Sequence, residues 1–347
     1  MTINPQRTLD QKLTRIRTTT QSREFILADA KDADMAFGIA APGQQANDCG
    51  EMRLRTLQEF RQHIREIVAQ GLVDIMLMSV STSDVLCLDE GLFAESSVTP
   101  AIRANDTTDI WLAGGNARYG THPSLPFRTA SIDHAMCGHE GCQDEERTNG
   151  VNLGLYSITF NNDVVLDRDA LAAYREFRVE AEMKGFRHFL EVFAPNASSN
   201  IAPPDISRFV NDSIVRTLAG VATAGRPLFL KIPYFGPRAI GELVNYDSSL
   251  VIGVLGGSAG TTMDAFHMLW EAKKYGARAA LFGRKINSAE HQLSFVRLLR
   301  AIADDQIEPS EAVHVYHAEL DNIKIRPHRS LADDLVMTPA SHSYHAS

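Results

Sequence analysis

One pattern recurs along this chain and constrains its fold more than any other. An amphipathic stretch ends in a single glycine, and an apolar run follows within a few residues. It appears as Gln70-Gly71-Leu72 before Val73–Met78 and as Lys184-Gly185-Phe186 before Phe189–Phe193. It returns as Ala224-Gly225-Arg226 before Leu228–Ile232 and as Tyr275-Gly276-Ala277 before Ala279–Phe282. Glycine just past a helix accepts the left-handed conformation without a Cβ penalty. Each helix can therefore stop and hand the chain to a strand almost at once. Strands alternating with helices imply parallel pairing and right-handed crossovers.

Eight runs read as strands: Phe25–Ala28, Val73–Met78, Pro100–Arg103, Val151–Ile158, Phe189–Phe193, Leu228–Ile232, Leu250–Leu255 and Ala279–Phe282. Between them, Leu54, Leu57, Phe60, Ile64 and Ile67 keep helical spacing, as do Leu171, Tyr174, Phe177 and Ala181. Eight strands in alternation favour a closed (β/α)8 barrel over an open doubly wound sheet. The reading is one barrel domain over residues 1–331, with a tail over 332–347 that is loosely ordered or docks on a neighbour. Residues 105–149, between the third and fourth strands, are polar and aperiodic. A connection that long is usually functional or disordered; it reads as an excursion over the barrel mouth, or as an insertion serving oligomer contacts.

Composition narrows the partners. The chain has 347 residues, enough for a barrel of the usual ~250 plus insertions. Lys plus Arg is 34 against 43 for Asp plus Glu, a net −9. That balance argues against nucleic acid and anionic membranes as partners. No apolar stretch approaches the roughly 18 residues that span a bilayer, and the N-terminal residues lack the apolar core of a signal peptide. Four cysteines are no disulfide scaffold in a chain this long. A cytoplasmic enzyme, working on a small molecule as a homo-oligomer, is the expectation.

In a barrel, chemistry sits where the strands end. Lys231 lies inside Leu228–Pro233, where lost hydration lowers an amine's pKa and makes it a nucleophile toward carbonyls. The competing reading is a structural ion pair. Glu191 lies in the preceding run, next to Lys231 in barrel order, as a proton shuttle or as that ion-pair partner. Asp29 ends the first strand and is a candidate to hold a substrate hydroxyl or orient a proton. Lys31 either adds charge toward a phosphate or is a solvated loop lysine. After the last two strands come Gly256-Gly257-Ser258 and Gly283-Arg284. Exposed backbone N–H groups and a guanidinium there suit phosphate.

These residues resemble the class I aldolases of the family containing tagatose-bisphosphate, sulfofructose-phosphate and archaeal-type fructose-bisphosphate aldolases. The resemblance rests on His188–Val192, Leu230–Tyr234, Gly256–Ser258 and Phe282–Ile286, within about Arg187 to Glu290. It implies a (β/α)8 barrel, a Schiff base at Lys231, acid–base work at Glu191 and phosphate at the last two loops. Asp29 matches a first-strand aspartate of the family. Where some relatives carry a second lysine on the fourth strand, this chain has Asn152.

The expected activity is aldol or transaldol chemistry on a phosphorylated ketose or related keto compound, with a covalent imine and no cofactor. Alternatives are a dehydratase, isomerase or synthase on the same barrel, or a non-catalytic sugar-phosphate sensor. His134, Cys137, His139 and Cys142 carry zinc-type side chains, but within nine residues they demand a very tight wrap. The expectation is no metal, with these residues shaping a loop near the mouth or an interface.

Overall fold

The computed structural model describes residues 7–19, 22–46, 51–111, 118–257 and 260–338. Eight parallel strands close into a barrel in chain order: β1 Ile26–Lys31, β2 Ile75–Met78, β3 Thr99–Arg103, β4 Leu153–Thr159, β5 Arg187–Phe193, β6 Leu230–Ile232, β7 Ile252–Leu255 and β8 Ala279–Phe282. β8 pairs back onto β1, Ile26 beside Ala279 and Asp29 beside Phe282. Each strand overlaps one read from the sequence. Around it run α1 Thr8–Thr18, α2 Leu57–Gln70, α3 Val164–Met183, α4 Ile206–Ala219, α5 Pro237–Tyr246, α6 Thr262–Lys274, α7 Gln292–Ala303 and α8 Pro309–Asn322.

Alternation along the strands sorts side chains into two layers. Ile26, Ala28, Ala30, Ile75, Leu77, Ala101, Leu153, Leu155, Phe189, Phe229, Ala279 and Leu281 form one buried cluster inside the barrel. Leu27, Met76, Ile102, Leu190, Leu230 and Ala280 belong to the second cluster, between sheet and helices. Leu9 and Leu13 of α1 join the inner cluster, so α1 closes the end where the strands begin. Arg7 fastens it, donating to the Val98 carbonyl at 2.7 Å.

Local signals explain the helix ends. Thr56 and Glu59 form a reciprocal capping box on α2, satisfying two otherwise unpaired N–H groups. Gly71, Gly185 and Gly276 have φ of 70°, 65° and 106°, the role the repeated pattern assigned to them. Gly225 departs from it. Its helix, α4, ends at Ala219, and Gly225 sits in a separate 3-10 turn, Thr223–Gly225. What it spares there is space, since a Cβ would come within 3.2 Å of the Arg178 guanidinium. Among the described residues, no helix is long and apolar enough to cross a membrane.

The start of the tail is docked on the barrel. Asp334, in the short helix Leu331–Asp334, accepts from the Thr262 N–H at 2.8 Å and lies 3.0 Å from His317. Thr338 hydrogen-bonds Asp264. Both contacts hold the N-terminus of α6.

Candidate active site

Phe189 and Phe229 stack within the barrel, centroids 4.5 Å apart and 15° from parallel. Two residues on, the same inward face of the same two strands carries Glu191 and Lys231. Lys231 Nζ lies 2.7 Å from Glu191 Oε1, with Lys231 6% and Glu191 1% exposed. The ion pair rests on two phenyl rings that exclude water from below.

Three further inward residues complete this floor. From β3, Arg103 donates through Nε to Asp32 at 2.5 Å, through one terminal nitrogen to Ser157 at 2.9 Å, and through the other to Glu191 Oε2 at 3.3 Å. The Ser157 hydroxyl, from β4, donates to the same Glu191 oxygen at 2.6 Å. Both carboxylate oxygens of Glu191 are thus held, one by the lysine and one by the Arg103–Ser157 pair. Burial opposes ionisation of Asp32, but Arg103 and Lys231 outweigh it and hold the carboxyl below its ordinary range. Burial likewise opposes the charge on Arg103, and Asp32 and Glu191 more than restore it. Two cations and two anions balance in a buried cluster, the condition under which buried charge is tolerated.

Asn105 fixes the height of Ser157. β3 ends at Arg103 while β4 runs on to Thr159, so Ser157, paired with Glu191 on its β5 side, lacks a strand partner on its β3 side. The Asn105 side chain substitutes for one: Oδ1 accepts from Ser157 N at 2.7 Å, and Nδ2 donates to Ser157 O at 2.9 Å. Asp109 adds the next contacts, accepting from Thr159 and Ser124 hydroxyls, each at 2.8 Å.

Above the floor lies a cavity of about 350 Å³. On one side it is bounded by Gly256, Gly257, Gly283 and Arg284, the loops after β7 and β8. Glycine is required at two of these positions. A Cβ on Gly256 would lie 2.3 Å from the Phe282 ring, and one on Gly283 would lie 2.8 Å from the Ala30 carbonyl. Arg284 is exposed, its guanidinium 5.6 Å from the Phe37 ring centre. Ser258 lies outside the described residues. Phe37 and Ile110 make the cavity's other side apolar.

Asp29 and Lys31 are not in this cavity. They follow the outward parity of Leu27, so both lie behind the sheet and are fully buried. Lys31 Nζ donates to Gln292 of α7 at 2.8 Å and sits 3.4 Å from Asp29. Burial raises the Asp29 pKa to about 6 against the opposing charge of Lys31, and burial lowers that of Lys31. Lys31 is therefore neither a phosphate ligand of the mouth nor a solvated loop lysine. The first-strand acid that reaches the site is Asp32, in step with the inward Ala28 and Ala30. Asn152 is also misplaced by the sequence reading. It precedes β4, its carbonyl bonded to Arg187 N, and the mouth-facing residue of that strand is Ser157.

The excursion divides. Asp109, Ile110 and Gly120 line the mouth, as expected of a covering segment. Residues 131–151 run to the opposite end, where Gly150 and Val151 bond the Met136 and Ala135 carbonyls just before β4 begins. The His/Cys segment is there, away from the mouth. Cys137 and Cys142 form a disulfide, and Asp133 gathers Lys184 at 3.0 Å, Arg147 at 3.1 Å and Gly141 N at 3.0 Å. Cys137, His139 and Glu146 place their ligand-type atoms within 4.8 Å of one another.

No protein-family model matches the chain, and no curated protein matches it in sequence. Solved structures do match in shape. An archaeal fructose 1,6-bisphosphate aldolase superposes with TM-score 0.57 at 13% identity, over 86% of this chain and 99% of that one. A Schiff-base-forming fructose-1,6-bisphosphate aldolase, studied through its reaction intermediates, gives 0.59 at 14% identity, over 85% and 99%. Cgl0159 of Corynebacterium glutamicum gives 0.55 at 14% identity, over 86% and 94%. The chain therefore has the fold of the aldolase-type (β/α)8 barrels.

Proposed function

We propose that this protein is a Schiff-base aldolase or transaldolase acting on a phosphorylated ketose or related keto compound, without a cofactor. The observation that carries the reading is Lys231 Nζ, 2.7 Å from Glu191 at the floor of a cavity whose rim is built from Gly256, Gly257, Gly283 and Arg284. Transfer of a proton from the Lys231 ammonium to Glu191 yields the free amine. That amine adds to the substrate carbonyl, protonated Glu191 returns its proton to the carbinolamine hydroxyl, which leaves as water, and an iminium forms on Lys231. The iminium accepts the electron pair of the adjacent C–C bond as a base takes the hydroxyl proton of the departing aldehyde. Glu191 and Asp32 are the carboxylates able to take it. The enamine is then protonated and hydrolysed, or attacks a second aldehyde.

Arg103 and Ser157 bond Asp32, Glu191 and each other, so they fix the acid–base pair in place. Arg284, exposed on the rim, is the group free to meet a substrate phosphate. Borohydride reduction with a panel of keto phosphates, followed by peptide mapping, tests the proposal. The adduct is expected on the peptide containing Leu230–Tyr234 and absent from Lys231→Ala. An adduct elsewhere, or one persisting in the variant, refutes the assignment. Product analysis separates aldol cleavage from dehydration or isomerisation, and substrate binding without any adduct would favour a sensor.

A further inference from the structure

A second cavity, of about 610 Å³, opens at the end of the barrel where β5, β6 and β7 begin, opposite the mouth. Four arginines line it: Arg17 from α1, Arg178 from α3, Arg187 at the start of β5, and Arg226 before β6. Glu182 is its one acidic lining residue. Arg187 is paired with Asp10 at 2.5 Å and Arg226 with Asp247 at 3.1 Å. Arg17 donates to the Leu228 carbonyl at 2.9 Å, and neither it nor Arg178 has an ion-pair partner among the described residues. With the three acids counted against the four arginines, one positive charge is left over.

Arg178 is held for use. Its guanidinium lies 5.0 Å from the Tyr174 ring centre and beside Gly225, whose missing side chain leaves it room. Arg178 and Arg187 each keep a buried Nε–H with no acceptor among the described residues. Guanidinium forks match phosphate oxygens in pairs, and the volume falls within the roughly 300–1,000 Å³ of small-molecule sites. Phe186, Leu228 and Leu250 add apolar lining for the body of a ligand.

We propose that this cavity binds a small phosphate-bearing metabolite, with Arg178 and Arg226 as its principal contacts and Arg17 at its edge. The site is independent of the chemistry at the mouth. Isothermal titration of the full chain with inorganic pyrophosphate tests it, in the wild type and in Arg284→Ala, which removes the guanidinium of the mouth. A saturable site is expected to survive in Arg284→Ala and to weaken at least tenfold when Arg178→Ala is added. Thr223→Glu places an acid on the exposed turn beside Arg226 without touching the core, and should weaken binding similarly while leaving the melting midpoint unchanged. Loss of all pyrophosphate binding in Arg284→Ala alone would overturn the proposal. So would binding that ignores both Arg178→Ala and Thr223→Glu.

Discussion

Arg103 is the cation on which the floor of the mouth turns, and Arg103→Leu tests that directly. The side chain is 6% exposed and contacts Asp32, Ser157 and Glu191 together. Leucine keeps much of the volume but leaves Asp32 and Glu191, 8% and 1% exposed, with Lys231 as their shared cation. Breaking a buried pair from one side costs about 3–5 kcal/mol. With an unfolding entropy of about 2.1 cal/mol/K per residue over 347 residues, the melting midpoint should fall by about 4–7 °C. Burial is then opposed at Asp32 by Lys231 and a backbone N–H alone, and its carboxyl should titrate higher. Adding Asp32→Asn removes one stranded charge, so the double variant should recover about 1 kcal/mol or more relative to the sum of the singles. Urea titrations of the wild type, both singles and the double provide the cycle. An Arg103→Leu cost below about 1 kcal/mol, or strict additivity, would refute the claim that Arg103 is the cation that makes burial of these two carboxyl groups tolerable.

Three further outcomes are expected. Asp29→Asn should leave borohydride trapping at Lys231 intact, whereas Asp32→Asn should slow turnover by about 10²-fold or more, as read by product formation. Arg284→Ala should weaken phosphorylated substrates by about 1.5–3 kcal/mol relative to unphosphorylated analogues in competition assays, and equal loss for both would make Arg284 structural. Burial, reinforced by Arg178, holds the His188 pKa at about 3, against about 6.5 in an unfolded chain. As pH falls below about 6.5 the unfolded state takes up a proton that the folded state refuses, so stability declines toward pH 3. Changing His188→Gln should make the loss between pH 7 and 5 smaller by about 2 kcal/mol, measured by urea unfolding at both values.

The strands were legible because each is a local apolar run between turn signals. Lys231 and Glu191 were legible because neighbouring runs in a barrel are neighbouring strands. The sequence reading takes Asp29 for its place at the strand end and does not use parity; counting by twos from Ala28 and Ala30 leads to Asp32. The same count leads from Ala101 to Arg103 and from Leu155 to Ser157. What no count supplies is the partnership itself, since Arg103 reaches residues 71 and 88 positions away. Gly225 shows the limit from the other side. A glycine before an apolar run looks like a helix stop, yet here it spares room for a guanidinium belonging to a different helix. The His/Cys segment reads as a loop near the mouth or an interface, and the first of these fails because nothing in its composition says which end of the barrel a long insertion returns to.

The amide of Asn105 stands in for a strand where β3 has already ended. The wall between β3 and β4 is therefore a seam, closed above Arg103 by side chains instead of a continuous backbone ladder. Asn161 closes it again higher up, taking Ser124 N and O at 2.8 and 2.9 Å. The chain leaves the barrel at the seam after Arg103 and re-enters at Val151, anchored by two backbone bonds to the Ala135 and Met136 carbonyls. The segment between can be treated as a cassette. It can be altered without unzipping a strand, provided Asn105, Asp109, Ser124 and the Ala135–Met136 carbonyls that hold Gly150 and Val151 are kept. Since it also carries Ile110 to the cavity, altering it there would change which molecules the mouth admits while leaving the Lys231 floor in place.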